Sequence, residues 1–424
     1  MAQSTQIKYQ SIYGKSASLD QLKAFVAVPF FIEWYRSSES RKVFPIFLNE
    51  MQDINASNKL LPSVLGKNPF FEHTDITFII AKEGEKPVGR IAAFIDHRYN
   101  SEHDEQTGWI GMFESTYDSK VGSDILNLAL DNLRAKGCTK VIGPAKFNAN
   151  GEAGLLIEGF EYSPFFMEPY NAPYYRHFFE DLGFKKEDDW YSFLINEKNL
   201  AKIQKYMARI GELKKIAEQT SLGIGRAMLD TTIRQISFKN LSTEIALIED
   251  IYNKEWGKGN HPQFVTMNHS EMQALAKGIK MIALEDLVLV AERKGEPVGV
   301  AVTVPNINEV ISLHDSQQRG YYPSPKFIDI RDMKRDLTIF SDIKRKVKNK
   351  DYKSARVLIL GVREEYKKSG IDALLYHETF KRAIALGIRE VSGSQIAEKN
   401  IDMISPLERM AEKAMTWRVY SLDL

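Results

Sequence analysis

The 424-residue chain is 43% hydrophobic and 27% charged, which supplies apolar surface for sizeable cores and excludes a disordered or fibrous protein. Lysine plus arginine (57) nearly balance aspartate plus glutamate (56), so a net charge of +1 gives no bulk electrostatic reason to expect nucleic acid or an anionic membrane as partner. A single cysteine, Cys138, rules out an intramolecular disulfide and a cysteine-rich metal site.

Met1 to Gln10 is polar and lacks the apolar centre of a signal peptide, and the longest apolar runs, such as Phe78 to Ala81 and Leu287 to Ala291, are strand length. The expectation is a cytoplasmic protein of two or three domains without a membrane span.

In chain order, the first clear element is a hairpin over Ala81 to Ile95, AKEGEKPVGRIAAFI, whose second strand should open at Pro87, where a missing N–H does least harm. From Tyr117 the apolar positions Ile125, Leu126, Leu128, Ala129 and Leu133 mark one helical face, with Gly137 as its left-handed cap. A strand from Thr139 to Ile142 follows, then a loop over 143–175 rich in glycine, proline, asparagine and aromatics. A helix at Tyr175 to Leu182 and a strand at Trp190 to Ile195 close this stretch. Asn196 to Thr220 is charged with a helical pattern and reads as a connector.

The same order then returns. Ala291 to Pro305, AERKGEPVGVAVTVP, repeats the hairpin, and Leu374, Leu375, Phe380, Ile384 and Ala385 mark a second helical face before Gly387. A strand at Ile388 to Val391, a helix at Pro406 to Lys413 and a strand at Thr416 to Leu422 complete it. The step from Gly137 to Gly143 equals that from Gly387 to Gly393. Pro-Val-Gly after a charged turn recurs by chance, but agreement of order and spacing favours duplication. The division expected is an N-terminal lobe over 1–196, a helical connector over 197–232 and a C-terminal lobe over 233–424.

A strand order of this kind, with a glycine opening the central helix, resembles the GNAT acyltransferase superfamily. The sharper likeness is to long bacterial GNAT-related proteins with two such lobes, and it spans nearly the whole chain. It is carried by Asn68-Pro69-Phe70-Phe71, Pro87-Val88-Gly89-Arg90, Gly143-Pro144 with Phe147-Asn148, Gly154-Leu155-Leu156, Tyr170-Asn171-Ala172-Pro173-Tyr174-Tyr175, Tyr252-Asn253 with Trp256, and Glu398 with Asn400. The resemblance implies an α/β (α+β) fold of tandem lobes, each a mixed, mostly antiparallel sheet flanked by helices. It also implies an N-acyltransferase that takes acetyl-CoA or another acyl-CoA as donor, without a metal, and passes the acyl group to a small amine or amino acid.

In that superfamily the donor pyrophosphate sits on backbone N–H groups where a basic, glycine-bearing loop opens a helix. Here that loop is Lys367-Lys368-Ser369-Gly370-Ile371, with Asp372 departing from the pattern, and Val362 and Asn400 complete the expected donor set. The plain alternative is a basic turn with a capped helix, and Asn400 reads as the cap of the last helix ahead of a substrate contact. The corresponding N-terminal segment, Tyr117 to Asp124, has two carboxylates and one lysine, a poor phosphate cradle, so CoA is expected only in the C-terminal lobe. Asn148, Asn150, Glu152, Tyr170 and Tyr174 on the long loop are the candidate acceptor-binding residues, against a packed surface loop as the alternative.

Glu398 is the expected base for the amine, with a solvated helix-start carboxylate as the alternative. The last helix lacks the tyrosine that often protonates the departing thiolate, which leaves Tyr366 and Tyr420. His261 and His269 have no metal-ligand spacing, Gly223-Ile224-Gly225-Arg226 is too short for a dinucleotide fingerprint, and the basic run Lys344 to Lys350 reads as a solvated face. Two other function classes stay open: an aminoacyl transferase of the FemABX kind, and a non-catalytic binding protein on two degenerate lobes.

Overall fold

The computed structural model describes residues 6–56, 67–219, 227–256, 263–317, 323 and 330–424. The first half runs β1 (Ile7–Tyr13), α1 (Leu19–Ala27), α2 (Phe47–Asp53), β2 (Thr74–Glu83), β3 (Lys86–Asp96), α3 (His97–His103), β4 (Thr107–Ser115), α4 (Ser119–Ala135), β5 (Lys140–Gly143), β6 (Leu155–Glu158), α5 (Tyr175–Asp181) and β7 (Lys185–Ile195). Next come α6 (Leu200–Gln219), β8 (Thr231–Gln235), α7 (Leu241–Trp256), α8 (His269–Lys280), β9 (Val288–Arg293), β10 (Glu296–Pro305), α9 (Asn308–Gln317) and α10 (Ile330–Asn349). The chain closes with β11 (Ser354–Val362), α11 (Ile371–Ala385), β12 (Glu390–Ala397), α12 (Ile401–Met410) and β13 (Glu412–Asp423). The 220–226 part of the expected connector, the Gly223 to Arg226 segment and His261 lie outside the described residues.

Both expected hairpins form, and both carry the same irregularity. Ala81 pairs with Gly89 and Lys82 with Pro87, while Ala291 pairs with Gly299 and Glu292 with Pro297. Val88 and Val298 are thus the extra residues of equivalent β-bulges, which sharpen the local twist. Gly137 and Gly387 follow α4 and α11 with φ of 84° and 77°, a conformation that a residue without Cβ adopts at little cost. The last helix starts earlier than expected, at Ile401, with Pro406 inside it rather than opening it.

The strands join one mixed sheet of thirteen, ordered β1-β2-β3-β4-β5-β13-β7-β12-β11-β10-β9-β8, with β6 pairing on β13 off this path. The order corrects the expectation that each lobe keeps its own closing strand. β13 leaves the C-terminal half and inserts between β5 and β7, with Tyr420 opposite Gly143 and Trp417 opposite Trp190. β7 in turn pairs β12, Val391 opposite Ile195. Hydrogen bonding therefore runs unbroken from one half to the other, and neither half presents a bare sheet edge at the junction.

Around this sheet sit three main cores. One fills the N-terminal half around Phe25, Phe78, Phe94, Trp109 and Leu133. The C-terminal half has one core on the α11 and α12 side, with Leu375, Phe380 and Leu407, and one on the opposite face, with Val302, Ile339 and Ile359.

A buried ionic cluster ties the halves together. His73 bonds through Nδ1 to Asp96 at 2.9 Å and through Nε2 to Glu271 of α8 at 2.7 Å, and Arg98 also reaches Glu271 at 2.5 Å. Burial disfavours the imidazolium, but the hydrogen bonds to the two carboxylates outweigh it and hold the His73 pKa at about 9. Burial likewise opposes ionisation of Asp96 and Glu271, yet their hydrogen bonds with His73 keep both below the usual carboxylate range.

Two outcomes follow. Because β13 is shared, Trp417→Ala, at a site with 0% exposure, should cost about 3–5 kcal/mol and lower one common denaturation midpoint for both halves; separate transitions with only one displaced would contradict the shared strand. Folded His73 keeps its proton up to about pH 9, whereas the unfolded side chain loses it near pH ~6.5. Its contribution is thus complete below the unfolded value and lost as pH rises through 9, so His73→Gln should flatten the fall in stability between these values, read from urea midpoints.

Candidate active site

Two strand pairs in the sheet are parallel, and both part after a few residues. β4 pairs β5 only from Thr107–Lys140 to Trp109–Ile142, and β11 pairs β12 only from Ser354–Glu390 to Val357–Gly393. Beyond those points the strands diverge, and each opening faces the N-terminus of the helix between them. Backbone groups of a strand that has lost its neighbour need another partner or a ligand.

In the N-terminal opening the protein supplies its own partners. The Ser115 N–H donates to Tyr175 Oη at 2.8 Å, and Tyr174 Oη donates to the Ser115 carbonyl at 2.8 Å. Tyr35 and Tyr175 both donate to buried Glu114, at 2.5 and 2.9 Å, and Lys42 stands 3.4 Å from the same carboxylate. Asp118 caps α4 through the N–H groups of Lys120 and Val121. Here the Ser115 edge of β4 is filled and α4 is capped, and a wider cleft lined by Val88, Tyr117, Asp118, Val121 and Tyr174 lies outside these side chains.

The C-terminal opening is different. Between β11 and β12 runs a narrow cleft whose cavity volume is about 70 Å³. Its walls are Leu358 and Leu360 of β11, Ser394 and Gln395 of β12, Tyr376, Thr379 and Phe380 of α11, and Asn400, Met403 and Leu407 at α12, with Trp256 of α7 at one side. A Cβ on Gly361 would meet the Trp256 ring at 2.4 Å, so glycine there lets α7 lie directly on the strand. The Thr379 hydroxyl is buried without a hydrogen-bond partner. Tyr376 Oη donates only to the Met403 sulfur, at 3.0 Å, and burial holds its pKa far above the usual phenol value.

Outside the cleft lining, at the start of α11, Gly370 occupies the N-cap with φ of 85° and no side chain to cap the helix. The first N–H groups of that helix are therefore available to a ligand. Lys368, at φ 60°, is exposed and has no ion pair among the described residues. Lys367 is already held by Glu364 at 2.5 Å and Glu255 at 4.0 Å, and the Ser369 hydroxyl donates to the Tyr366 carbonyl at 2.5 Å. Val362 and Ile371 are buried at the two sides of this turn. Asn400 corrects one expectation: it starts α12 without a side-chain cap bond, is nine-tenths buried and faces the cleft.

The other candidates lie elsewhere, for reasons of packing. Tyr420 travels with β13 into the N-terminal half, where it packs at a tilt against Phe179, ring centres 5.5 Å apart, and donates to Glu180 at 3.1 Å. Tyr366 packs under Arg293, 5.5 Å from ring centre to guanidinium, beside the turn and not along the cleft wall. Glu398 pairs with Lys186 of β7 at 2.6 Å and accepts from the Asp189 N–H at 3.4 Å. Its neighbour Asp188 is wholly buried; that burial first, and the Glu398 carboxylate second, push its pKa up to about 6 against the Trp190 hydrogen bond.

The long loop lies across the C-terminal half, but its expected acceptor residues are spent on holding it there. Asn148 donates to Asp96 at 3.2 Å, and Asn150 donates to the Val265 carbonyl at 2.8 Å and accepts from Tyr252 at 3.0 Å. Glu152 stands 3.7 Å from Lys146, Tyr170 donates to the Phe160 carbonyl at 2.8 Å, and Tyr174 closes the N-terminal opening. What the loop brings to the cleft is Glu168. Its carboxylate, 6% exposed, accepts from Ser392 at 2.8 Å and from the cleft-lining Ser394, while Arg356 fixes the same segment through the carbonyls of Phe166 and Ser394. Nothing local in the sequence distinguished Glu168 or Tyr376 from a surface carboxylate or a packed ring, since both become site residues only through the fold.

No family model matches the chain. It is 28% identical over 425 residues to Protein YghO of Escherichia coli (strain K12), covering 99% of this chain and 97% of that protein. It is 26% identical over 413 residues to a bacterial ceramide synthase of Caulobacter vibrioides (strain NA1000 / CB15N), with 95% of each covered. Among solved structures it is similar to a tandem GNAT protein from the clavulanic acid biosynthesis pathway, with a TM-score of 0.52 and 9% identity over 99% of this chain and 98% of that one. At that similarity the chain has the tandem GNAT fold, an acyltransferase-like fold.

Proposed function

We propose that the protein is an acyl-CoA-dependent N-acyltransferase that binds its donor in the C-terminal cleft between β11 and β12. The observation that carries this reading is the contrast between two matching openings: at one, Tyr35, Tyr174, Tyr175 and Glu114 occupy the β4 edge and Asp118 caps the helix, leaving a cleft only outside them, whereas at the other the strand edges themselves line a mostly apolar cleft and α11 starts without a side-chain cap. The pyrophosphate would rest on the N–H groups from Gly370 to Asp372 with Lys368 beside it, and the Asn400 amide would meet the pantetheine arm. The same contrast supports a tandem duplication in which the N-terminal copy lost its donor site.

The likeness to a bacterial ceramide synthase supports a fatty acyl donor and a long-chain base as acceptor. Apolar walls at Leu358, Leu360, Phe380 and Leu407 agree with this, since each buried methylene is worth about 0.8 kcal/mol. For the chemistry, the acceptor ammonium must lose a proton before its nitrogen attacks the thioester carbon. Glu168, through the Ser394 hydroxyl, is the base we assign: Ser394 takes the amine proton as its own passes to the carboxylate. As the C–S bond breaks, the Tyr376 phenol would donate a hydrogen bond to the thiolate, giving up only a weak bond to sulfur, and the thiolate would take its proton from solvent on release. Glu398, neutralised by Lys186, is a weaker candidate.

A saturating acyl-CoA, at 100 times its dissociation constant, should stabilise the protein by about 2.7 kcal/mol, more readily for longer chains. Gly370→Asp should abolish that shift, and Gly370→Ala should reduce it through strain at positive φ and a Cβ 2.7 Å from Met228 Cε. Lys120→Ala on the corresponding N-terminal turn should leave it unchanged. With an amine acceptor, Glu168→Gln should lower turnover by ~10²–10⁴-fold with the acyl-CoA shift intact. Glu398→Gln should retain turnover. No stabilisation by any acyl-CoA would overturn the proposal.

A further inference from the structure

Helix α10 presents a face that the fold does not use. Its inner side is fully engaged: Ile339 and Ile343 enter the core beside Val302 and Ile359, Asp336 accepts from the Leu48 N–H at 2.8 Å, and Arg335 donates to the Pro45 carbonyl at 3.2 Å. On its outer side Ile330, Met333 and Leu337, spaced i, i+3 and i+7, are 80%, 45% and 59% exposed. Further along the same side come Lys344 and Lys348, exposed and, like Lys334, without an ion pair among the described residues. Arg345 is 69% exposed and pairs with Asp342 of the same helix at 2.9 Å.

The helix holds seven basic and three acidic residues over 20 positions, or about 30 Å of length. Two of the acids, Asp332 and Asp336, are buried on the inner side, and the third, Asp342, is shared by His314 and Arg345. The outward field is therefore cationic although the chain as a whole carries only +1. Apolar side chains at one end and free lysines at the other, along a single line, suit a surface with hydrocarbon below and negative charge above. No helix among the described residues is long and apolar enough to cross a membrane, so the contact this face can make is lateral.

We infer that α10 docks the protein onto an anionic lipid bilayer, with Ile330, Met333 and Leu337 entering the acyl boundary and Lys334, Lys344 and Lys348 meeting lipid phosphates. α10 packs on the face of the sheet that also carries α7 and Trp256, so the docked protein holds that side of the cleft towards the lipid. The inference goes beyond the acyltransfer reading and does not need it: a binding protein with this helix would dock equally.

The test is sedimentation of the full-length protein with phosphatidylcholine vesicles, with and without phosphatidylglycerol. Binding is expected only with the anionic lipid and should weaken as salt rises. Replacing Lys344 and Lys348 together by alanine should weaken it about thirty-fold, and Lys202→Ala with Lys205→Ala on α6 should not change it. In Leu337→Trp the new indole should shift its emission to the blue on adding anionic vesicles. Leu337→Asp, at an exposed site, should lose binding while its denaturation midpoint stays with the parent. Absence of vesicle binding, equal binding to neutral vesicles, an unshifted indole, or full retention in the lysine or Leu337→Asp variants would overturn the docking. Tighter retention of a nucleic acid duplex than of vesicles would assign the basic face to a different partner and also overturn it. All these readouts are independent of acyl-CoA, so failure here leaves the donor-site proposal standing, and failure there leaves this one.

Discussion

The hydrogen-bond ladder that carries β13 between β5 and β7 is the constraint on which the rest of the molecule hangs. Without it β5 would end one sheet and β7 would begin another, and the angle between the halves would rest on side chains alone. With it, β7 is anchored on both sides, β12 is anchored on β7, and the divergence of β12 from β11 is set by strands belonging to the other half. The cleft in the C-terminal half is therefore held open by the N-terminal half. The fully buried Trp417, which also donates to the Pro169 carbonyl at 2.9 Å, ties the long loop to the same strand.

Two halves with the same bulged hairpin and the same splayed pair have diverged at the gap itself. In one, residues that close the gap pay for their burial with hydrogen bonds: Tyr174 and Tyr175 satisfy both the N–H and the carbonyl of Ser115, and Glu114 collects two phenols and two nearby cations. In the other, glycine replaces bulk at Gly361 and Gly370, the helix start has no side-chain cap, and Thr379 has no partner. Polar groups left this way are costly unless a ligand meets them, which is why we propose this gap as the donor site. The sealed half still contributes, through the loop that delivers Glu168 and through His73, whose two carboxylate partners come one from each half.

Charge shows a similar division between sum and place. A near-neutral chain can still set out local fields, and here the acids of α10 are turned inward while its lysines face out. At the donor loop the reverse holds: Lys367 is engaged by Glu364 and Glu255, so the attraction for a pyrophosphate falls on backbone N–H groups and Lys368 more than the run of two lysines suggests.

The hairpins, the helices closed by Gly137 and Gly387, the short strands after them and the resemblance to a tandem acyltransferase scaffold were all legible in the sequence, because each rests on periodicity, a turn residue or an ordered set of motifs within reach along the chain. The glycine that opens α11 was legible for the same reason. The flanking helices α7 to α10 were not, nor was the crossing of β13, since strand pairing between residues some 230 positions apart leaves no local mark. That crossing took Tyr420 away from the cleft, and β7 gave Glu398 a lysine. Asn148, Asn150, Glu152, Tyr170 and Tyr174 were chosen for chemistry that any polar or aromatic side chain offers; tertiary structure spent them on anchoring and sealing. Glu168, Tyr376 and Thr379 became candidates only when distant segments converged on one gap, because what a carboxylate or hydroxyl can do depends on which neighbours remove it from water and which leave it without a partner.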